Sequence, residues 1–278
     1  MTEQTTTPWL TVRRGAAPLL LSMPHTGTDI PNALESGFVS GWLACRDTDW
    51  HIDRLYAFAE LMDASLVRTA VSRSVIDPNR DPSGASLYPG QATTELCPST
   101  TFDGEPLYRA GHAPTAADIL ARRETYFAPY HRAIAAEILR LRAEHPVIVL
   151  YDCHSIRSQI PRLFTGLLPN FNLGTFSGAS CAPALTARIE GLCDIPGFSR
   201  VTNGRFKGGY TTRHYGRPQE GVHAVQMELA CRGYLREPVG EVHQGNWPVS
   251  WDAVFAAPLQ EILGRVLASC LEFARRGP

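Results

Sequence analysis

Two histidines stand near the ends of apolar runs, and their placement is the first indication of chemistry in this chain. His25 follows the apolar residues 17–23 after a single proline, and His154 comes shortly after the apolar residues 147–151. Such runs predict buried strands, and open α/β sheets bind ligands beyond the carboxyl ends of their strands. A single histidine is more often a hydrogen-bonded core or loop residue, but two of them at strand ends favour a shared site.

A carboxylate beside these histidines would complete a metal site, and Asp49 is the residue that we predict for this role. Two imidazoles, one carboxylate and one open position are typical of a catalytic rather than a structural zinc site. His51 and Asp47 lie close enough in the sequence to compete with Asp49, and Asp47 could instead cap a helix that follows it. We therefore expect one Zn²⁺ per chain, held by His25, Asp49 and His154, although cobalt, manganese or iron would accept the same ligands.

Glu228 is the candidate for a general base. It lies in residues 222–229, whose composition predicts a strand. Alternation along a strand would place Glu228 on the opposite face from Met227, so a solvated carboxylate on an exposed face is the simpler interpretation. A carboxylate beside zinc-activated water would instead accept a proton during hydrolysis.

Asn79 and Arg80, with Arg73 a few residues earlier, could hold an anionic substrate. Arginine binds a carboxylate through two parallel hydrogen bonds, and an asparagine amide can add a donor. The alternative is a simple turn, because Asp77 and Pro78 precede the pair and both residue types favour turns.

A glycine-rich segment, residues 203–213, supplies further positive charge through Arg205, Lys207 and Arg213. Its glycines permit a close approach of the main chain to a ligand. The segment contains neither GxGxxG nor GxxxxGK[ST], so it is not a nucleotide-binding fingerprint. An exposed loop with solvated charges is the alternative interpretation.

The composition fits one globular domain and argues against several classes of protein. Of 278 residues, 44% are hydrophobic and 19% are charged, which excludes fibrous and wholly disordered chains. The net charge of -1 provides no basic field for nucleic acid or an anionic membrane. The apolar runs fall far short of the roughly 20 residues of a membrane helix, and the N-terminus does not resemble a signal peptide. We therefore expect a cytoplasmic protein that binds a small molecule; its oligomeric state has no signal in the sequence.

Strands alternate with helices along the chain, which predicts an α/β sheet covered by helices on both faces. The predicted elements are strands at residues 17–23, 147–151 and 222–229, a helix after Asp47, a long helix from Thr115 with a kink or break at Pro129, and a closing helix at residues 250–273. Residues 156–220 are predicted to be largely loop. The seven cysteines, with no CxxC pair, predict free thiols, most of them buried, rather than disulfides.

Six segments together resemble the N-formylglutamate deformylase (N-formylglutamate amidohydrolase) family. They are SMPHTGT at residues 22–28, DTDWH at 47–51, IDPNR at 76–80, YDCHS at 151–155, the segment 203–216 and QMEL at 226–229. This family is similar to zinc carboxypeptidases and to the aspartoacylase group. The resemblance implies a three-layer α/β/α sandwich with a mixed central sheet, a zinc-carboxypeptidase-like (phosphorylase/hydrolase-like) fold. Residues 1–278 would then form a single metallohydrolase domain, with residues 1–8 as a flexible N-terminus.

The resemblance also implies roles for the candidate residues. His25 corresponds to the first zinc ligand and His154 to the last, while Glu228 corresponds to the catalytic glutamate. Arg73 would polarise the scissile carbonyl. The Asn79-Arg80 pair would hold a substrate carboxylate.

The chain departs from the carboxypeptidase pattern at one ligand. Carboxypeptidases place the carboxylate ligand three residues after the first histidine, and this position is Thr28 here. The carboxylate must therefore come from Asp29 or from the segment of Asp47 and Asp49, of which we choose Asp49.

The implied reaction is metal-dependent hydrolysis of N-formyl-L-glutamate to formate and L-glutamate, a step of histidine degradation. Glu228 would transfer the proton, and zinc and Arg73 would stabilise the oxyanion. Arg80, with Arg205, Arg213 and Lys207 as further candidates, would hold the two carboxylates. The alternatives are another N-formyl, N-formimino or N-acyl amino diacid as substrate, such as N-formylaspartate, or a non-catalytic anion-binding protein.

Overall fold

A mixed sheet of eight strands forms the middle layer of the protein, as seen in a computed structural model that describes residues 4–277. The strands, in chain order from β1 to β8, are Gln4–Thr7, Leu10–Arg13, Leu19–Met23, Ser65–Thr69, Ile148–Ile156, Phe171–Gly174, Arg200–Thr202 and Val222–Ala230. Their order across the sheet is β1-β2-β4-β3-β5-β8-β6-β7. The four central strands β4, β3, β5 and β8 are parallel to one another. The pairs β1–β2, β2–β4 and β6–β8 are antiparallel, and β7 is parallel to β6.

Helices cover both faces of this sheet. The α-helices, in chain order from α1 to α8, are Asn32–Glu35, Gly41–Cys45, Ile52–Leu55, Ala116–Arg122, Ala128–Glu144, Pro183–Cys193, Tyr210–Tyr215 and Ala253–Arg276. One face packs against α3, α6 and α8, and the opposite face packs against α5. The predicted three-layer α/β/α architecture with a mixed sheet is therefore confirmed.

The central strands β3, β5 and β8 are buried along their whole length. Alternation divides each strand between two cores: Val149 and Tyr151 of β5 face α8, whereas Ile148 and Leu150 face α5. By the same alternation, Asp152 and His154 follow Ile148 and Leu150 on the α5 side of the sheet, beyond the apolar core. Because the central strands are parallel, their carboxyl ends meet at the same edge of the sheet.

The predicted helices form, with two differences at their starts. The helix expected after Asp47 is α3, but His51 rather than Asp47 precedes it, so the proposed Asp47 cap is wrong. Thr115 caps α4 reciprocally with Asp118, as predicted for a long helix. A π-helix, Arg123–Phe127, then joins α4 to α5, whose second residue is Pro129. The backbone stays helical through this segment, so the chain does not break at Pro129; the hydrogen-bond pattern changes just before it.

The remaining differences lie at the N-terminus and in residues 156–220. Within the segment 1–8, which the sequence predicts to be flexible, Gln4–Thr7 form β1 and pair with β2, and residues 1–3 lie outside the described residues. Residues 156–220 contain more regular structure than predicted, because β6, α6, β7 and α7 lie within them. All seven cysteines are free thiols, as predicted.

The closing helix α8 is long and apolar enough, by length and composition, to span a membrane. Its apolar side is buried in the core, where it packs against β3, β5 and α6. A core helix of a soluble protein passes the same test, so this feature is explained by packing on the sheet.

Candidate metal centre and active site

The carboxyl ends of β3, β5 and β8 bring the predicted chemical residues together. The parallel register of β5 and β8 pairs His154 with Glu228 and Asp152 with Gln226. His25 lies in the turn that directly follows β3. These side chains are all buried, so the polar cluster lies at the edge of the sheet but below the molecular surface.

His25, Asp49 and His154 offer ligand atoms that all lie within 4.8 Å of one another. Asp49 Oδ2 lies 3.0 Å from His154 Nδ1 and 3.6 Å from His25 Nδ1. His25 Nδ1 and Asp49 Oδ1 are buried without a hydrogen-bond partner among residues 4–277. Buried polar atoms are normally paired, so the unpartnered His25 Nδ1, 3.6 Å from Asp49 Oδ2, fits a bound cation. The donor set of two imidazoles and one carboxylate fits zinc.

Two further aspartates hold the outer nitrogens of the histidine rings. Asp77 Oδ1 lies 2.6 Å from His25 Nε2, and Asp152 Oδ2 lies 2.9 Å from His154 Nε2. When His25 Nε2–H donates to Asp77, Nδ1 of the same ring keeps a free lone pair directed toward Asp49. His154 Nε2 lies 2.9 Å from Asn79 Nδ2 as well as 2.9 Å from Asp152, and its Nδ1 is hydrogen bonded to Asp49 Oδ2 at 3.0 Å. Ser22 in turn donates to Asp152 Oδ1 at 2.7 Å.

The roles of Asp77 and Asp152 are not predicted from the sequence, although both residues lie in the segments that carry the family resemblance. A usable signal exists for Asp152: it lies two residues before His154 in a strand, and so on the same face. No comparable signal exists for Asp77, because its contact with His25 joins segments that are remote in sequence.

The competing candidates for the carboxylate ligand are engaged elsewhere or exposed. Asp47 Oδ2 accepts a hydrogen bond of 2.6 Å from the Phe102 amide. Asp29 is exposed to solvent. His51 Nε2 lies 3.0 Å from the Val249 carbonyl oxygen. Of these candidates, the structure brings only Asp49 to the two histidines.

Glu228 is buried beside this cluster, with 7% of its surface exposed. The simpler interpretation of an exposed strand face is therefore wrong, because both faces of β8 are covered. Burial raises the pKa of Glu228 to about 8; the charge of His154 opposes this rise, and Asp49 adds to it. A carboxylate in this environment has a high affinity for a proton, as a general base requires.

Neighbouring opposite charges lower the pKa of Asp77 and raise the pKa of His154, as expected when carboxylates and histidines are paired. Burial alone would raise the pKa of Asp77, but His25 and Arg73 lower it well below its usual value. Burial alone would lower the pKa of His154, but Asp152 and Asp49 raise it. The carboxylates of Asp49, Asp77 and Asp152 thus lie close together, and together they stabilise a positive charge placed among them.

Arg73 reaches the cluster from the loop after β4. Its Nη2 donates to Asp77 Oδ2 at 2.7 Å, and its Nη1 lies 3.6 Å from Asp49 Oδ1. The guanidinium also lies over the Phe102 ring, 4.8 Å from the ring centroid. A buried cation is thereby fixed beside the candidate metal ligands.

A pocket opens onto this cluster. Its volume is about 540 Å³, which includes space at its mouth that is open to solvent. It is lined by His25, Arg73, Asn79, Arg80, Tyr88, Thr93, Thr94, Phe102, His154, Ile156, Leu163, Arg205, Phe206, Gly209, Gln226 and Glu228. Of the predicted substrate-binding residues, Asn79, Arg80 and Arg205 therefore face the pocket.

Arg213 and Lys207 do not line this pocket, in contrast to the sequence expectation. Arg213 donates instead to the carbonyl oxygens of Gly208 and Leu87. Asn79 faces the pocket, but its amide is engaged: Oδ1 accepts from the Thr211 amide at 2.9 Å, and Nδ2 donates to Asp152 Oδ2 at 3.1 Å.

A comparison with protein families agrees with this site. The family model described as N-formylglutamate amidohydrolase matches residues 17–235. The chain belongs to this family. The predicted family membership is therefore confirmed, and the matched range contains every site residue described above.

Similar proteins support the family over nearly the whole chain. A protein of Pseudomonas aeruginosa named N-formylglutamate deformylase is 48% identical over 267 residues, covering 96% of this chain and 97% of the relative. A protein of Pseudomonas putida with the same name is 45% identical over 263 residues, covering 94% and 95%.

Two solved structures share the fold of this chain. The crystal structure of N-formylglutamate amidohydrolase from Ralstonia eutropha superposes with a TM-score of 0.78 at 24% identity, covering 98% of this chain and 100% of that one. A gene product of Agrobacterium tumefaciens superposes with a TM-score of 0.66 at 19% identity, covering 95% and 96%. At these identities the likeness supports the fold alone.

Proposed function

We propose that this protein hydrolyses N-formyl-L-glutamate to formate and L-glutamate. The observation that carries the proposal is the buried convergence of His25, Asp49 and His154 beside Glu228, at a pocket that three arginines, Arg73, Arg80 and Arg205, also line. The names of the two Pseudomonas relatives support the same substrate. From the family resemblance alone, we further propose that the reaction serves histidine degradation in the cytoplasm.

His25 Nδ1, His154 Nδ1 and an oxygen of Asp49 are the atoms that would hold one zinc ion. When bound, zinc supplies Lewis acidity, which polarises a carbonyl group and makes water more acidic. Asp77 and Asp152 would fix the orientation of the two rings through their Nε2 atoms.

Glu228 moves the proton in the proposed reaction. Its carboxylate accepts a proton from the attacking water and then gives it to the amide nitrogen as the C–N bond breaks. The water oxygen is retained in formate, and the protonated nitrogen leaves as the amino group of glutamate. General acid–base catalysis of this kind contributes about 10²- to 10⁴-fold in rate.

Arg73 stabilises the negative charge that develops on the formyl oxygen. Its guanidinium is already held by Asp77 and by the Phe102 ring, so little reorganisation is needed during the reaction.

Two guanidinium groups in the pocket fit the two carboxylates of the substrate. Arg205 hydrogen bonds to the carbonyl oxygens of Leu163 and Ala92, and no ion pair found within residues 4–277 involves it. Arg80 donates to Thr94 and lies 3.6 Å from Asp77, whose carboxylate is already paired with Arg73 and His25. Burial, with the nearby charge of Arg80, lowers the pKa of Arg205. A carboxylate of an anionic substrate would form an ion pair with the Arg205 guanidinium.

The substrate proposal is tested by formate release from N-formyl-L-glutamate and from N-formyl-L-glutamine, which lacks the side-chain carboxylate. We expect kcat/KM to be about 10- to 10²-fold higher for the glutamate compound, because hydrogen bonds to charged groups contribute about 1.5–3 kcal/mol. Arg205→Gln should reduce this preference, whereas Arg265→Gln, on the exposed side of α8, should leave it unchanged.

Two results would contradict the proposal. Equal kcat/KM values for the two compounds in the unmodified enzyme would show that the side-chain carboxylate of the substrate is not recognised. Absence of formate release from every N-formyl amino diacid would exclude the reaction itself.

A further inference from the structure

Gln226 is a buried pocket residue to which neither the sequence argument nor the proposed reaction gives a role. It lies on β8 two residues before Glu228, so both side chains leave the strand on the same face. Only 3% of its surface is exposed. A buried amide must satisfy both its donor and its acceptor, and its orientation is therefore informative.

A main-chain amide fixes the orientation of the Gln226 side chain. The Gly209 N–H donates to Gln226 Oε1 at 2.7 Å. Because a backbone N–H can only donate, the atom that faces Gly209 must be the oxygen. The nitrogen of the same amide is then directed at Glu228, where Nε2 donates to Oε2 at 3.3 Å.

Gly209 is itself held firmly against Asn79. A Cβ atom at Gly209 would lie 2.4 Å from the Asn79 side chain, which shows how closely the two segments approach. The next two amides continue the contact: Tyr210 N donates to the Asn79 carbonyl oxygen, and Thr211 N donates to Asn79 Oδ1. The main chain at residues 209–211 therefore provides a fixed anchor for Gln226.

We propose that Gln226 is a positioning residue for the reaction: it links the main chain of Gly209 to the carboxylate of Glu228 and holds that carboxylate in its reactive orientation. The proposal rests on the proposed function, in which Glu228 transfers the proton. Gln226 acts through Glu228 and does not contact the reacting atoms. A misplacement of about 1 Å in a catalytic group can cost about 10²-fold in rate.

The test compares Gln226→Leu, Gln226→Met and Gln226→Glu with the unmodified enzyme, using N-formyl-L-glutamate as the substrate. The first two variants lose both hydrogen bonds, whereas Gln226→Glu keeps the acceptor for Gly209 but loses the donor to Glu228. We expect kcat to fall about 10- to 10²-fold in all three, with KM within about threefold and metal content unchanged. Gln260→Leu is the matched control, because Gln260 lies on α8 and its side chain donates, among the residues that the structure describes, to the carbonyl oxygens of Arg54 and Leu55.

A double-mutant cycle separates positioning from general structural damage. If Gln226 acts only through Glu228, then adding Gln226→Leu to Glu228→Gln should cause no further loss of the residual kcat. A multiplicative loss in the double variant would overturn the proposal. So would a rise of KM with unchanged kcat, which would identify Gln226 as a substrate contact.

Hydrogen exchange tests the anchor independently of activity. The Gly209 amide should exchange faster in Gln226→Leu than in the unmodified protein, and at an unchanged rate in Glu228→Gln. Equal exchange in Gln226→Leu and the unmodified protein would refute the anchor. If the unmodified enzyme releases no formate while Gly209 behaves as expected, the proposed function fails and the anchoring contact stands.

Discussion

At the scale of single residues, the two histidines present the same ring nitrogen to Asp49. Nδ1 of each ring faces this carboxylate, because Nε2 of His25 is held by Asp77 and Nε2 of His154 is held by Asp152. Asp77 thus selects the His25 tautomer that can bind a metal, while Asp152 and the Asn79 amide nitrogen both lie 2.9 Å from His154 Nε2. The two aspartates thereby hold the two rings in place. Their removal should weaken the metal site without removing a ligand.

Asp152→Asn tests this orienting role. The variant should bind zinc about 10- to 100-fold more weakly, as is usual when a carboxylate behind a histidine ligand is lost. Chelator competition measures the affinity, and Asp63→Asn, at an exposed position, is the control. Unchanged zinc affinity in Asp152→Asn would show that the carboxylate does not orient His154.

Glu228→Gln tests the proton-transfer role. The change preserves the size of the side chain but removes its capacity to accept a proton, so kcat should fall about 10²- to 10⁴-fold while KM and metal content change little. Glu144→Gln, at the exposed end of α5, should retain full activity. An unchanged kcat in Glu228→Gln would eliminate the assignment.

The sequence predicted the histidines more readily than their supporting residues. His25 and His154 follow apolar runs, so their position at strand ends could be inferred from the chain alone. Asp77 and Gln226 could not be assigned in this way, because their contacts with His25 and with Gly209 depend on tertiary packing. The pKa of Glu228 likewise follows from burial on both faces of β8, which local alternation did not indicate.

At the scale of elements, strand β5 carries more of the site than its apolar run suggested. The predicted strand ended at Tyr151, whereas β5 continues to Ile156. Pairing with β8 extends the strand through Asp152 and His154, whose polar side chains find partners from other segments. Strand extension by pairing is a tertiary effect, and an apolar-run argument does not detect it.

The segment before α7 gives a prediction about main-chain packing. Gly209→Ala would place a Cβ atom 2.4 Å from the Asn79 side chain, so one of the two segments must move. We expect a loss of stability of about 1–3 kcal/mol from this overpacking, together with a lower kcat.

The matched control for this change is Gly191→Ala within α6, where nothing lies within 4 Å of the new atom. Alanine in a helix interior should stabilise the protein by up to about 1 kcal/mol relative to glycine. Urea denaturation measures both changes. A Gly209→Ala variant as stable as the Gly191→Ala variant would contradict the close packing of residues 209–211 on Asn79.

At the scale of the whole molecule, the stability should depend on pH through a buried histidine outside the metal cluster. His131 on α5 lies 2.8 Å from the Pro78 carbonyl oxygen through Nε2 and 3.1 Å from the Tyr215 hydroxyl through Nδ1. Burial lowers the pKa of His131 to about 4, although the bond to Pro78 opposes the shift. The neutral ring is thus part of the folded structure.

The sign of the pH effect follows from this lowered pKa. Between pH 6.5 and about 4 the unfolded chain binds a proton at His131 that the folded protein does not. The contribution of His131 to the free energy of unfolding should therefore be fully present above pH 6.5 and should decrease by about 3 kcal/mol as the pH falls to 4, at about 1.4 kcal/mol per unit of pKa shift.

His131→Gln should remove this part of the pH dependence, as measured by urea denaturation across the same range. His112→Gln, at an exposed position, is the control. An identical slope in His131→Gln and in the unmodified protein would contradict the assignment.

The central claim is that a metal held by His25, Asp49 and His154 supports release of formate. The most direct measurement is the metal content of the purified protein, paired with formate release from N-formyl-L-glutamate before chelation, after chelation and after return of zinc. We predict about one metal ion per chain, loss of formate release on chelation and its recovery with zinc. Full formate release by protein that contains no metal would contradict the claim.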